Sequence, residues 1–515
     1  MKGMAETGIF RGISPRIKAA FLSCLCFGLA AHGMGLLNKY SVHDDIFGLF
    51  WSGSTISSGR WMLHVVGWLE SMLLWDGQYS LPLFNGLFAL VCLGAAACLI
   101  VWLLDIRRPL LCGALGCVLA AFPVIAGLFG YMFTLPYYML AMLMMISAAC
   151  LILRGNWWRK GLGILLGCCS VGIYQAFVPL LLSLALIWDL KLLSERAEPA
   201  GFYVKTFLAQ LLCVLAVMAL YYAANRFFLA KFGLELNEYM GMNQQESTPL
   251  SAYLSRVKTA YGEFFLPTRN VPADMYPMHA WYVYLAMLVL DAVMGALFLC
   301  RIGRDGKTGK ARALLGVLVL ALFPLGCNFI YVMSDRVHGL MTFSLVSQAV
   351  LFAWLLDRPL LPRPGLRRAA SAAAAAMLGL MGVMDARFDN QCYLKAALQQ
   401  QQAISWFTAL AAQIRGTEGF SADTPVVFLN PEEIRDQTLY HIGELDFIHL
   451  PPYGGGTDEI LNSYAWRAFM ERWCGFSPAW AEEAPYAELP EVRSMPHYPA
   501  DGSIRRIGDI IVVNF

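Results

Sequence analysis

Apolar residues fall in long runs separated by short polar breaks, at about 19–37, 80–104, 109–129, 133–153, 206–229, 280–300, 313–333, 337–356 and 369–385. Each run approaches the roughly 20 residues that a helix needs to cross the hydrocarbon of a bilayer. A further run, 161–190, is unusually long and sets the topology. The breaks at Arg107-Arg108, at Arg154, Arg159 and Lys160, at Arg301 to Arg312 and at Arg358 to Arg368 are short and basic, as is the start of the chain with Arg11, Arg16 and Lys18. Short basic loops collect on the cytoplasmic side. One crossing by 161–190 would put the two richest loops opposite the others, whereas two crossings put them all together. The run therefore reads as two short helices, 161–174 and 176–190, turning near Tyr174-Gln175 with Pro179 in the returning arm. Broken backbone at that depth is tolerated where protein or a watery cavity satisfies its polar groups. The count becomes about eleven crossings of the plasma membrane, with the N-terminus cytoplasmic and the C-terminus outside.

This pattern predicts an all-α polytopic membrane domain over 1–385, with exterior loops 38–79 and 230–279, and a small extracytoplasmic α/β domain over 386–515. The latter shows a helical stretch at 390–415, a strand-like Pro425 to Asn430, a helix near 457–472 and a final Ile504–Phe515 turning at Gly508. Composition agrees. Of 515 residues 58% are hydrophobic and 14% charged, where a soluble domain carries roughly 25% charged residues, which excludes a soluble enzyme. The net charge of +2 says nothing about nucleic acid. Twelve of the 14 cysteines lie in or beside apolar runs, where they act as small hydrophobes. Cys392 and Cys474 alone lie in the polar tail, where an oxidising exterior would allow them to pair.

The first exterior loop carries His43-Asp44-Asp45 and then Gly59-Arg60-Trp61. Adjacent carboxylates at the membrane surface suit a general base beside a group that holds a metal or orients an acceptor. Equally, Asp44-Asp45 would cap the short helix that follows. Arg60 is placed to grip a lipid-linked phosphate with its planar guanidinium, or simply to snorkel from an interfacial helix. Tyr174 and Gln175, at the tip of the broken hairpin, are polar groups at a costly depth and suit substrate binding or an interhelical hydrogen bond. Arg336, in the turn Ser334-Asp335-Arg336, is a second phosphate candidate, with a local pair to Asp335 as the alternative. In loop 230–279, Glu235, Glu238, Gln244, Gln245, Glu246, Tyr253, Tyr261, Glu263 and Tyr276 mix aromatics and hydrogen-bonding groups as a sugar surface would. The tail's Gly454-Gly455-Gly456 lacks the Lys of a phosphate-binding loop, and Thr457 or Asp458 is better read as a helix cap.

Many spans, an exterior Asp-Asp in the first loop, the Gly59-Arg60-Trp61 after it, and Tyr174-Gln175-Ala176-Phe177 in a short hairpin together resemble the Gtr type II glucosyltransferase family over roughly residues 15–385. That family belongs to the multi-spanning GT-C glycosyltransferases, which use a polyprenyl-phosphate sugar as donor. The resemblance implies transfer of a hexose, glucose, to a bacterial cell-surface glycan. Asp44 or Asp45 would be the base, with Arg60 and Arg336 as phosphate contacts. It leaves a divalent cation, Mg or Mn, open, with Asp45 as the candidate ligand. Inversion follows from a single displacement, since no second nucleophile is evident. Two rival classes are a transporter or flippase of a lipid-linked glycan, for which Asp291 and His32 are the mid-span polar residues, and a non-catalytic glycan scaffold.

Overall fold

The computed structural model describes residues 13–49, 56–74, 80–237, 249–266, 278–334, 336–431, 441–453 and 461–515. Arg11, Glu238, Gln244 to Glu246, Tyr276, Asp335 and the segment Gly454–Asp458 lie outside them. Among the described residues, eight helices are long and apolar enough to cross a membrane, or nine if one bent pair forms a single span. They include α1 (Pro15–Leu37), α3 (Pro82–Leu104), α6 (Leu135–Arg154), α8 (Val178–Glu195), α9 (Ala200–Phe232), α11 (Met278–Gly303) and α12 (Gly309–Cys327). The bent pair is α4 (Pro109–Ala121) with α5 (Pro123–Phe129), which turns by 42°. The sterically restricted residue before a proline explains the break, because Phe122 is extended ahead of Pro123. α7 (Trp157–Ile173) and α13 (Ser347–Asp357) are shorter apolar helices.

The long run 161–190 is two helices, as its charge context requires. α7 ends at Tyr174, which is extended, a tight turn covers Gln175–Phe177, and α8 returns with Pro179 in its first turn. Proline is tolerated there because its missing N–H has no intrahelical partner anyway. The basic loops then meet at one end of the bundle. Arg16 of α1 lies 2.5 Å from Asp105, the N–H groups of Arg107 and Arg108 donate to Asp357, and Arg358 reaches Glu195 at 3.6 Å. Arg312 closes the set by donating to Asp305 and to the carbonyls of Leu193 and Arg196.

Two amphipathic helices, α2 (Trp61–Leu74) and α10 (Leu250–Phe265), connect spans at the other end. Each exposes a large apolar face, through Trp68, Met72 and Leu73 in α2 and Leu250 and Leu254 in α10, as an interfacial helix does.

The helix of the last span continues past residue 385. α14 (Pro364–Arg415) runs for 52 residues without a break and carries the chain from the basic end into the tail. Asp385, Arg387 and Asp389 lower its hydropathy but do not stop it, because no proline or glycine interrupts the chain between Gly382 and Gly416. The expected boundary at 385–386 therefore falls inside a helix. Beyond it, α15 (Trp466–Trp473) packs beside a four-stranded sheet of order β2-β1-β4-β3, formed by β1 (Pro425–Leu429), β2 (Ala479–Trp480), β3 (Ile504–Ile507) and β4 (Ile510–Asn514). β1 is parallel to both neighbours, while β3 and β4 form a hairpin at Gly508. Val426, Phe428, Ile511 and Val513 join the core of the spans, whereas Val427, Leu429, Ile510 and Val512 form a second cluster on the opposite face. A sheet buried on both sides explains why β1 and β4 read as continuous apolar runs. Cys392 and Cys474 are unbonded. Cys474 sits beside Ile404, twelve residues along α14 from Cys392, which corresponds to roughly 18 Å of helix.

Candidate functional site

The two first-loop carboxylates have opposite environments. After α1, the turn His43–Leu49 carries Asp44 outward and Asp45 inward. Asp45 is 0% exposed. It accepts hydrogen bonds from Ser80 Oγ at 3.0 and 3.2 Å and from the N–H of Phe133 at 3.1 Å, and it pairs with Lys39. A hydroxyl, an amide and an ammonium are the shell of a fixed anion, so this carboxylate does not fit a divalent cation. Among the described residues no group of three or more His, Cys, Asp or Glu is placed to hold a metal. Burial pushes the Lys39 ammonium down to about 7, and the adjoining carboxylate is what favours its charge.

Asp44 is exposed and accepts a 2.7 Å hydrogen bond from Tyr464 of the tail. Burial and the Asp44 carboxylate push the Tyr464 phenol well above its usual range, so it stays a donor. Phe47 stacks on Tyr464 at 5.8 Å, and Arg472 of α15 donates to the carbonyl of Ile46. The tail thus holds the loop that carries the candidate base.

Gly59-Arg60-Trp61 and Tyr174-Gln175, distant in sequence, form one cluster. Tyr174 stacks on Tyr138 of α6 at 4.4 Å between centroids. The Arg60 guanidinium lies 5.8 and 5.6 Å from these two ring centroids and donates to Tyr138 Oη at 2.9 Å. Gln175 Nε2 donates to the carbonyl of Ser58 at 3.0 Å and to Tyr221 Oη at 3.1 Å, and Tyr221 donates to the carbonyl of Gly59. This arrangement fixes the guanidinium before any ligand arrives. Tyr174 also donates to the carbonyl of Leu340 at 3.4 Å, in the same connection as Arg336. Arg336 itself is exposed, and its expected partner Asp335 lies outside the described residues. Phe133, in the turn just before α6, touches Asp45, and Tyr138, in the first turn of α6, touches Arg60.

Gly59 has φ +78°, and a Cβ there would stand 2.5 Å from Tyr221 Oη and 2.8 Å from Gln175 Nε2. Gly59→Ala is expected to destabilise the protein by about 1–2 kcal/mol from the backbone alone, before the clash is counted. Thermal unfolding in detergent checks this, and an unchanged midpoint would show that the cluster yields.

Several contributors carried no signal of their own in the sequence. Ser80, Tyr221 and Tyr464 are single polar residues whose partners lie on other elements. Tyr138 follows Pro136 at the start of an apolar run, which marks a helix N-terminus but not a role. In loop 230–279, Tyr261 donates to the carbonyl of Ala321, the Arg256 guanidinium lies 5.0 Å from the Tyr253 ring centroid, and Glu263 is buried. The mid-span polar residues are bonded across helices: Asp291 accepts from Gln348 at 3.1 Å, and His32 meets Tyr393 Oη and the carbonyl of Ala120, each at 2.8 Å.

The family model of glucosyl transferase GtrII matches residues 33–352, more than half of the chain. The chain belongs to the GtrII glucosyltransferase family. The matched region contains Asp44, Asp45, Arg60, Tyr174, Gln175 and Arg336, and stops before α14 and the tail. No curated protein matches the chain. This GtrII protein is therefore a glucosyltransferase of the membrane.

Proposed function

We propose that this GtrII protein is a GT-C enzyme that transfers glucose from polyprenyl-phosphate glucose to a hydroxyl of a cell-surface glycan, with inversion and with Asp44 as general base. The observation that carries the reading is the division of labour between neighbouring carboxylates: Asp45 is buried and saturated with donors, while Asp44 is exposed beside the tail. In the single displacement, the acceptor hydroxyl gives its proton to Asp44 and its oxygen bonds to the anomeric carbon. The bond from that carbon to the phosphate oxygen breaks, and the lipid phosphate leaves with the electron pair. The developing charge on that phosphate calls for a preorganised cation. Arg60, held beside the stacked Tyr138 and Tyr174, supplies it, with Arg336 as a second, exposed contact. Gln175 fixes the backbone at Ser58 and Gly59 that aims Arg60.

The basic end of the bundle faces the cytoplasm, by the usual bias of Lys and Arg in short loops. The first loop, α2, α10 and the tail domain then lie outside, at the plasma membrane. Counting α7, α13 and the bent pair as crossings gives about eleven.

The donor class is tested with purified protein and labelled glucose on synthetic polyprenyl phosphate, against nucleotide-linked glucose. Transfer from the lipid-linked donor is expected, and transfer from the nucleotide sugar alone would overturn the reading. In the same assay Arg60→Ala is expected to raise the donor KM by roughly tenfold or more, the scale of one charge-assisted hydrogen bond. Arg60→Lys should recover little, because an ammonium replaces a planar, stacked guanidinium.

A further inference from the structure

Two carboxylates in α14 have no role in the transfer chemistry. Asp385 and Asp389 are one helical turn apart and 0% exposed, and none of their four side-chain oxygens has a hydrogen-bond partner. By contrast, Asp45 has three donors and Asp291 has one, from Gln348. Residues four apart lie on the same helix face, so the two carboxyls are neighbours.

Among the described residues, no group around them supplies the missing charge or donors. On α14, Tyr393 and Cys392 follow Asp389, and the buried Lys395 gives its ammonium to the carbonyl of Ile448 at 2.9 Å. From α1, His32 uses one ring nitrogen on Tyr393 and the other on the carbonyl of Ala120. α4 contributes Cys117, beside Gly382, and α5 has no titratable residue. α11 carries Asp291, bonded to Gln348 of α13, while Asp357 of α13 binds the N–H groups of Arg107 and Arg108 at the basic end. Tyr40 stacks on Tyr393, Tyr453 meets it edge-on, and Tyr453 donates to the carbonyl of Ala126.

Two ionised carboxylates side by side in an apolar bundle, with neither donors nor counter-charge, are not a stable arrangement. We propose that Asp385 and Asp389 form a buried site that holds one proton and one further small cation, a second proton or an alkali metal ion, so that the pair is neutral and α14 is held to the bundle. The site does not depend on the transfer reaction, and its test needs no glycosyl donor.

Thermal unfolding of the full-length protein in detergent is measured from pH 5 to pH 9 in choline, sodium or potassium chloride at constant ionic strength. The wild type is compared with Asp385→Asn, Asp389→Asn and the double variant. If the further cation is a proton, the native state binds more protons than the unfolded chain, so the wild-type midpoint falls as pH rises in every salt. If it is sodium or potassium, the midpoint at high pH rises with that cation and not with choline. In either case the double Asn variant is expected to lose the pair's share of the dependence, leaving only that of other groups such as Lys39. Should that variant not fold, each single variant is expected to keep a weaker dependence, since one carboxyl still needs neutralising. Wild-type pH and salt profiles that superimpose on those of the Asn variants would overturn the proposal, as would a midpoint insensitive to pH and to all three salts.

Discussion

Asp44→Asn is expected to lower kcat for glucosyl transfer by roughly 10²–10⁴-fold, the usual contribution of a positioned general base. The substitution keeps the size of the side chain and an oxygen for the Tyr464 hydroxyl, while removing the group that takes the proton. Asp44 is exposed and makes no contact with the span core, so the unfolding midpoint should stay near that of the wild type. Donor affinity should also persist, since the lipid phosphate is assigned to Arg60. A variant that transfers glucose at the wild-type rate would remove Asp44 from the mechanism. Tyr464→Phe separates positioning from catalysis. It deletes the 2.7 Å donor but leaves the base, so a smaller loss in kcat is expected, with the donor KM unchanged. Loss of donor binding in that variant would instead point to disordering of the whole first loop.

Much of the membrane architecture was legible because the bilayer imposes a length and a charge rule that act locally. The break of 161–190 at Tyr174-Gln175 followed from the placement of arginines in distant loops, and the structure brings Arg16, Arg107, Arg108 and Arg358 of three of those segments together around Asp105 and Asp357. The extension of α14 was hidden because hydropathy reports the surroundings of a helix and not its continuity, and the chain leaves the span at Asp385 without leaving the helix. At the site, Gly59-Arg60-Trp61 and Tyr174-Gln175 were recognisable one by one. Their convergence was not, since it depends on Tyr138 and Tyr221 from two further helices. Asp44 and Asp45 are identical in type and adjacent, so only burial distinguishes them. That burial is decided by Ser80 and Phe133, 35 and 88 residues away.

Asp45→Ala is expected to cost about 3–5 kcal/mol of stability, the scale seen when one partner of a buried ion pair is removed. Three donors lose their acceptor at once: the Lys39 ammonium, the Ser80 hydroxyl and the Phe133 amide. Lys39 is the worst affected, because burial already disfavours its charge and the variant removes the carboxylate beside it. Asp45→Asn should fall between wild type and Ala, as its side-chain oxygen can still accept from Ser80 or Phe133. Activity will fall in both variants, because Asp45 anchors the turn that presents Asp44, but the loss should follow the unfolded fraction and be largely recovered at low temperature. The double variant Lys39→Met/Asp45→Leu decides between anchoring and catalysis. An apolar pair of similar volume often replaces a buried ion pair at little cost, so this variant is expected to regain most of the stability and, with Asp44 intact, most of the transfer rate. Restored folding without restored transfer would instead place Asp45 in the chemistry.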